Sequence, residues 1–182
     1  MAGRAVFLDR DGILNAAVIR DGLPYPPRSV DEVEILPGVE EACTRLCGAG
    51  FDLVVVTNQP DIARGTQTLE AVHRINEGLL AALPLDEVVV CPHDDADGCD
   101  CRKPRPGMLV AAAQRRGIDL SASFMVGDRW RDIEAGIRAG CRTLLIDRHY
   151  DEPSVRADVT VIDLGKAAVW ILEHDERTSA GE

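Results

Sequence analysis

After four residues the chain enters Ala5-Val6-Phe7-Leu8-Asp9-Arg10-Asp11-Gly12, in which four apolar residues run straight into a charged turn. A short run that is apolar at every position predicts a strand buried on both faces, as found in parallel sheets. Between such runs, apolar residues recur three or four positions apart, which is the period of helices. Four further runs follow, at Leu53 to Val56, Val88 to Val90, Phe124 to Val126 and Thr143 to Ile146.

This alternation of strands and helices predicts a three-layer α/β/α fold, a Rossmann-like parallel sheet with helices on both faces. A last strand near 159–162 and a helix near 166–172 would complete a single domain over residues 1–174. The polar residues 175–182 are predicted to form a disordered tail. The proline-rich stretch 20–37 is predicted to be an irregular flap, because loops of that length in compact domains are usually functional or disordered.

The net charge of the chain limits the kinds of molecule that it is expected to bind. The 182 residues carry 20 Lys plus Arg and 31 Asp plus Glu, a formal net charge of −11. Nucleic-acid binding depends largely on basic residues that neutralise phosphates, so it is not expected here. No apolar run approaches the roughly 20 residues of a membrane span, and no signal-peptide pattern is present. We therefore expect a cytoplasmic monomer that binds a small phosphorylated metabolite, with no membrane partner.

Polar residues follow the predicted strands where ligands of parallel α/β sheets bind, beyond the carboxyl ends of the strands. Three carboxylates, a hydroxyl, an amide and a lysine are expected to meet there: Asp9, Asp11, Asp128, Thr57, Asn58 and Lys103. Carboxylates forced together need a cation, and Mg²⁺ is a hard ion that takes carboxylates, substrate phosphate and water. Asp128, with Asp132 one turn behind it, is the predicted Mg²⁺ holder.

These residue types suit phosphoryl transfer. Asp9 is the candidate nucleophile, because a carboxylate can attack phosphorus to give an aspartyl-phosphate. Asp11 can protonate the leaving alkoxide and then deprotonate water. Thr57 and Lys103 would donate to the phosphoryl oxygens as charge develops on them.

Three of the six cysteines lie close to one histidine in the middle of the chain, with the spacing of zinc ligands. Cys91-x-His93 followed by Cys99-x-Cys101 supplies three thiolates and one imidazole, a closed tetrahedral set typical of structural zinc. The loop 91–101 would then be stapled by zinc directly before Arg102 and Lys103. The remaining cysteines are expected to be buried apolar residues: Cys43, Cys47 and Cys141.

Together these stretches resemble a known family, the haloacid dehalogenase-like phosphatases. The similarity to the four signature motifs of that family lies in Phe7 to Asn15, Val55 to Gln59, Cys101 to Gly107 and Met125 to Asp128. The resemblance implies the nucleophile, acid/base and phosphoryl-stabilising roles given above. It also implies that Mg²⁺ is contacted by Asp9, Asp11 and Asp128, with Asp132 in support. No interval is long enough for the cap domain that many relatives carry.

The resemblance further implies a set of substrate contacts: Arg10, Gly12, Asn15, Asn58, Gln59, Arg64, Arg102 and Arg129. With its zinc loop the chain is similar to the branch that removes the 7-phosphate of heptose 1,7-bisphosphates, and next to that the histidinol phosphatases. Pro60-Asp61 and Arg129 depart from that branch at substrate-facing positions, so histidinol phosphate stays open as a substrate. A non-catalytic, zinc-braced phosphate-binding module is the alternative outside the enzymes.

Overall fold

The computed structural model describes residues 2–20 and 23–175. Its strands are β1 (Ala5–Leu8), β2 (Val18–Arg20), β3 (Leu23–Tyr25), β4 (Asp52–Asn58), β5 (Glu87–Cys91), β6 (Phe124–Gly127), β7 (Arg142–Ile146) and β8 (Val159–Val161). Its α-helices are α1 (Val39–Gly48), α2 (Leu69–Ala82), α3 (Gly107–Arg116), α4 (Trp130–Ala139) and α5 (Leu164–Glu173). Each of the strands predicted from an apolar run is present, and each helical stretch forms a helix.

Six of the strands form one parallel sheet in the order β5-β4-β1-β6-β7-β8. The chain moves outward from β1 to β4 and β5, and then returns to the other side of β1 with β6. The strand order therefore reverses at β1, and ligands of such sheets bind in the crevice at that reversal. The turns after β1, β4 and β6 meet there.

The core lies on both faces of this sheet, because successive side chains of a strand point to opposite faces. Val6 and Leu8 pack with residues of α1, α2 and α5 in one buried cluster. Ala5 and Phe7 pack with residues of α3 and α4 in another. The predicted three-layer fold is confirmed.

The predicted irregular flap is partly wrong. Arg20 at the end of β2 and all of β3 belong to a two-stranded antiparallel hairpin, and a 3-10 turn follows at Val30–Glu32. The elements between β1 and β4 are this hairpin, the 3-10 turn and α1, so the described residues there include no separate cap domain.

Two further predictions from the sequence need correction. Asp175, the first residue of the predicted tail, is buried and forms an ion pair with Arg4 at the start of the chain; the rest of that tail, 176–182, lies outside the described residues. Cys47 is exposed, whereas Cys43 and Cys141 are buried as predicted. Leu46, which precedes Cys47 in α1, is the residue that is buried in the core. Within the described ranges, no helix is both long and apolar enough to cross a membrane.

Candidate active site and metal centre

Three carboxylates meet beyond the carboxyl ends of the central strands. We call Asp9, Asp128 and Asp132 the carboxylate cluster, since one oxygen from each lies within 4.8 Å of the others. Asp9 follows β1 and Asp128 follows β6, which pair side by side, and Asp132 lies in the first turn of α4. All three are buried.

Lys103 lies in the middle of this cluster and is also buried. Its Nζ is 2.8 Å from Asp9 Oδ1 and 2.6 Å from Asp132 Oδ1, and it donates to the Val56 carbonyl at 2.7 Å. Burial alone would lower the pKa of Lys103, but the Asp132 and Asp9 carboxylates raise it above its ordinary value. The lysine is therefore charged and fixed beside Asp9.

The carboxylate cluster fits a divalent cation. Three carboxylates face one ammonium, so two negative charges remain when all three are ionised. Burial raises the pKa of Asp9 to about 7 despite Lys103, and burial together with Asp9 and Asp132 raises that of Asp128 well above its ordinary range. Asp128 Oδ1 is buried and has no hydrogen-bond partner in the described part of the chain. An oxygen in that state is a ligand position, and an oxygen-only donor set suits Mg²⁺.

Two glycines shape the space that these carboxylates occupy. Gly12 has a φ of 90°, and a Cβ on it would lie 2.0 Å from Asp128 Oδ2. A Cβ on Gly127 would lie 2.2 Å from Asp132 Cβ. Gly12 thus serves the site by close approach to Asp128, in a left-handed conformation that favours glycine.

Asp11 lines the same pocket, and its carboxylate is held by three neighbours. Asp11 Oδ1 accepts from Asn15 Nδ2 at 2.9 Å, and Oδ2 accepts from Gln59 Nε2 at 2.9 Å and from Arg10 Nη2 at 3.0 Å. These bonds orient the carboxylate, but its oxygens are not among those of the carboxylate cluster. The geometry suits a proton-transfer group beside Asp9.

The last residues of β4 and the residue that follows it complete the floor of the pocket. Gln59 Nε2 also donates to Thr57 Oγ1 at 2.9 Å, which leaves the Thr57 hydroxyl proton free to point elsewhere. The Asn58 side chain bonds to Lys103 twice, donating to its carbonyl and accepting from its backbone N–H, both at 3.1 Å. Asn58 therefore fixes the Lys103 backbone against β4.

A second set of metal-binding donors lies at the end of β5 and in the loop that follows it. We call Cys91, His93, Cys99 and Cys101 the Cys/His cluster; their donor atoms all lie within 4.8 Å of one another. The separations from Cys101 Sγ are 3.1 Å to Cys91 Sγ, 3.4 Å to Cys99 Sγ and 3.3 Å to His93 Nδ1. Tetrahedral Zn²⁺ with Zn–S bonds of about 2.3 Å places its sulfurs about 3.8 Å apart, so the cluster is close to the required size.

Acidic residues of this same loop pair with the arginines at the mouth of the pocket. Asp95 Oδ1 accepts from Arg102 Nε and from Arg131 Nη1, both at 2.8 Å. Asp94 Oδ2 accepts from Arg64 Nε at 2.6 Å. The hydrogen bonds from Arg102 and Arg131 lower the pKa of Asp95 to about 2. The Cys/His loop therefore sets the positions of three arginines at the mouth.

Comparison with known proteins assigns this arrangement to a family. A family model described as HAD-hydrolase-like matches residues 100–162. The D-glycero-beta-D-manno-heptose-1,7-bisphosphate 7-phosphatase of Pseudomonas aeruginosa is 40% identical over 183 residues, covering 95% of this chain and 100% of that protein. The enzyme of the same name from Yersinia pestis is 36% identical over 181 residues, covering 92% and 89%. The chain belongs to the haloacid dehalogenase-like phosphatases.

A solved structure of this family agrees with the fold. The D,D-heptose 1,7-bisphosphate phosphatase of Bordetella bronchiseptica, complexed with magnesium and phosphate, has a TM-score of 0.80 and 33% identity; the match covers 93% of this chain and 98% of that one. The resemblance drawn from the four motifs is confirmed, and the chain is a phosphoric monoester hydrolase. The non-catalytic alternative is set aside.

Three residues expected to contact substrate in this phosphatase are instead supports beneath the pocket. Arg10 is fully buried, and its Nη1 donates to Asn76 Oδ1 of α2 at 2.9 Å while its other nitrogens face Asp11. Asn15 and Gln59 are also buried, against Asp11. The prediction for Arg10 is wrong, because a wholly enclosed guanidinium cannot reach a ligand in the pocket.

Four of the other predicted substrate contacts line the pocket and Gly12 does not; several further lining residues were not predicted. Asn58, Arg64, Arg102 and Arg129 are at the pocket wall as expected. Arg131, Tyr150 and Glu152 are there as well. Tyr150 and Glu152 follow β7, so reading the residues after that strand, as was done for the strands before it, would have found them.

Proposed function

We propose that this phosphatase removes the 7-phosphate of D-glycero-D-manno-heptose 1,7-bisphosphate, with Mg²⁺, through an aspartyl-phosphate on Asp9. The observation that carries the proposal is the Asp9 carboxylate held 2.8 Å from the Lys103 ammonium, inside a buried carboxylate cluster that opens to an arginine-lined pocket. The names of the Pseudomonas and Yersinia relatives support this choice of substrate.

In the first step an Asp9 oxygen forms a bond to phosphorus while the bond from phosphorus to the sugar oxygen breaks. Asp11 gives its proton to the departing sugar alkoxide. Lys103 and the Thr57 hydroxyl donate to the phosphoryl oxygens, where negative charge accumulates. Asp9 and Asp128 would hold Mg²⁺ with Asp132 in support, and a contact from Asp11 stays a prediction. Bound Mg²⁺ supplies positive charge to the carboxylates and the phosphoryl group.

In the second step Asp11, now ionised, takes a proton from water. The water oxygen bonds to phosphorus, and the bond to Asp9 breaks, which releases phosphate and restores the Asp9 carboxylate. The bonds to Asp11 from Asn15 Nδ2 and Gln59 Nε2, both 2.9 Å long, keep its carboxylate in one orientation through both steps.

The arginines at the mouth of the pocket would bind the phosphate that is not removed. Arg102 and Arg129 both line the pocket, on the turns after the Cys/His cluster and after β6. A planar guanidinium suits a phosphate because it offers parallel donors. Arg129 donates its Nε to Glu152 Oε1 at 2.6 Å, so a second phosphate has to compete with that carboxylate.

We further propose that the Cys/His cluster holds one structural Zn²⁺. The donor set is closed, with three sulfurs and one imidazole facing one another, so it leaves no position for substrate. Hydrogen bonds from Cys101 and the Arg102 backbone lower the pKa of Cys99 to about 7, against the effect of its burial. Such a thiol readily becomes the thiolate that zinc requires. Zinc would then fix the loop that orients the arginines.

Histidinol phosphate is the second candidate substrate, and Glu152 favours it. The Glu152 carboxylate lines the pocket beside Arg129 and is only 19% exposed. A carboxylate in that place suits the ammonium group of an amino alcohol better than it suits a second phosphate.

The deciding experiment compares phosphate release from three substrates in Mg²⁺: heptose 1,7-bisphosphate, histidinol phosphate and fructose 1,6-bisphosphate. We expect kcat/KM for the heptose to exceed each of the others by about tenfold or more. The Asp9→Asn variant, prepared identically, measures any contaminating phosphatase. A higher value for histidinol phosphate would replace the proposal by the second candidate, and no release from any of the three would overturn both.

A further inference from the structure

Helix α2 carries a polar side chain on its buried face, where the other side chains are apolar. The buried residues of α2 are Val72, Ile75, Asn76 and Leu79. A buried amide destabilises the fold unless it is hydrogen-bonded. Asn76 Oδ1 accepts from Arg10 Nη1 at 2.9 Å. The partner of this amide is thus the residue between Asp9 and Asp11.

Arg10 joins this amide to the Asp11 carboxylate. Its Nη2 donates to Asp11 Oδ2 at 3.0 Å, and its Nε lies 3.2 Å from Oδ1 and 3.3 Å from Oδ2. The guanidinium is planar and its donors form a fixed fork, so the edge that faces Asp11 cannot turn without the nitrogen that faces Asn76. Arg10 is also fully buried, which leaves it little room for another orientation. The acceptor on α2 therefore fixes the direction from which Arg10 meets Asp11.

We propose that Asn76 is a positioning residue, which holds the proton-transfer group Asp11 in place through Arg10. Asp11 lines the pocket, whereas in the described part of the chain neither Arg10 nor Asn76 does. A proton-transfer group has to stay within hydrogen-bonding reach of the reacting oxygen, and a displacement of about 1 Å can lower a rate about a hundredfold. The inference rests on the proposed function, in which Asp11 protonates the sugar oxygen and then deprotonates water.

Two variants of Asn76 separate its acceptor oxygen from its shape. Asn76→Leu removes the acceptor but keeps a side chain branched at the same carbon, and Asn76→Asp keeps an acceptor. With the preferred substrate we expect Asn76→Leu to lower kcat about tenfold and to leave KM within about twofold of the parent, because it affects the chemical steps and not binding. Asn76→Asp should keep kcat within about threefold of the parent. Asp11→Asn sets the upper limit of the loss, about 10²-fold to 10⁴-fold.

Turnover of 4-nitrophenyl phosphate gives a readout that a loss of folded protein would not produce. Nitrophenolate is a weak base and departs without a proton, so the first step depends little on Asp11, but the second step still needs Asp11 to deprotonate water. With the chain in excess over this substrate, we expect Asn76→Leu to release nitrophenolate within about twofold of the parent rate. Its release of free phosphate should be about tenfold slower than that of the parent.

Val72→Ala is the matched control, because it removes apolar groups from the same buried face of α2 and leaves the bond between Asn76 and Arg10 in place. Its Tm should fall, whereas its kcat and both release rates should equal those of the parent at a temperature where it is folded. If thermal unfolding shows that Asn76→Leu is not folded, Arg10→Lys takes its place. Lysine keeps the charge but lacks the fixed fork that bonds to both neighbours, so the same slowing of phosphate release is expected.

Three results would overturn the inference. They are an unchanged kcat in the folded variant, an equal loss of nitrophenolate and phosphate release, and a loss in Asn76→Asp as large as that in Asn76→Leu. Failure of the proposed function would look different, since the parent chain would then release no nitrophenolate, or Asp11→Asn would retain its turnover.

Discussion

The carboxylate cluster and the Cys/His cluster both gather metal-binding donors, but the chain assembles them in opposite ways. The carboxylates come from the turns after β1 and β6 and from α4, so only the complete sheet brings them together. The Cys/His donors all come from the loop 91–101. The first cluster opens to the pocket and leaves Asp128 Oδ1 without a hydrogen-bond partner among the described residues, whereas the donors of the second face one another. The first site forms only when the whole sheet has folded, whereas the second site is formed by one short segment of the chain.

The largest effect should follow a change in the carboxylate cluster that leaves the fold intact. We expect Asp9→Asn to lower kcat at least about 10⁴-fold, because the amide cannot act as the nucleophile. Its Tm should remain near that of the parent, because burial already disfavours the Asp9 charge and Lys103 keeps Asp132 at 2.6 Å. Phosphate release and thermal unfolding measure the two quantities; near-normal turnover would remove Asp9 from its proposed role.

The Cys/His cluster should show the converse, a loss of stability together with activity. Metal analysis should find about one zinc per chain. Cys99→Ala removes one of four ligands, and a cost of about 2 kcal/mol corresponds to a fall in Tm of about 4–8 °C for a chain of this size.

Cys47→Ala is the matched control, since Cys47 is an exposed cysteine of α1 outside the cluster. Its Tm, zinc content and turnover should equal those of the parent. If Cys99→Ala left Tm unchanged as well, the proposed bracing of the loop by zinc would fail.

The smallest effect concerns Asp95, which joins the two regions through Arg102 and Arg131. Asp95 is exposed, so we expect Asp95→Asn to raise KM only about threefold to tenfold while kcat and zinc content stay unchanged. Steady-state kinetics with the preferred substrate measures this split. A fall in kcat without a change in KM would show that the link acts on chemistry instead.

The pH range over which Asp95 keeps its bonds to the two arginines follows from the direction in which its pKa is shifted. The pKa of Asp95 is lowered from 3.8 to about 2 in the folded protein, mainly by the hydrogen bond from Arg102 and next by the one from Arg131. A carboxylate whose pKa is lowered on folding stabilises the folded protein at any pH above its ordinary pKa. That contribution is lost as the pH falls toward the lowered pKa. The difference in KM between the parent and Asp95→Asn should therefore be constant from pH 7 to pH 5.

The parts of the molecule that could be predicted are those whose structure is determined by the residues of one short stretch of sequence. Runs such as Leu53 to Val56 are apolar throughout because both faces of the strand are buried, and the residues after them reach the site by the geometry of a parallel sheet. The zinc-ligand spacing is likewise local. For these features the sequence and the structure agree.

Features that depend on a distant partner were not predictable in this way. Nothing near Arg10 indicates that Asn76 of α2 accepts from its guanidinium and that the side chain is therefore enclosed. The β2–β3 hairpin has strands of three residues, one with Pro24 in it, too short for an alternating pattern. The hydrogen bond from Arg148, in the loop after β7, to the Gly12 carbonyl likewise depends on how that loop turns.

Gly12 and Gly127 are two positions that a redesign of the pocket has to leave unchanged. Both positions contribute empty space: a methyl group at either would overlap Asp128 or Asp132. The arginines at the pocket mouth can be exchanged to suit another phosphorylated ligand, because none of them fills that space. A library aimed at new specificity can therefore vary the mouth freely, provided that it keeps two residues with no functional group at all.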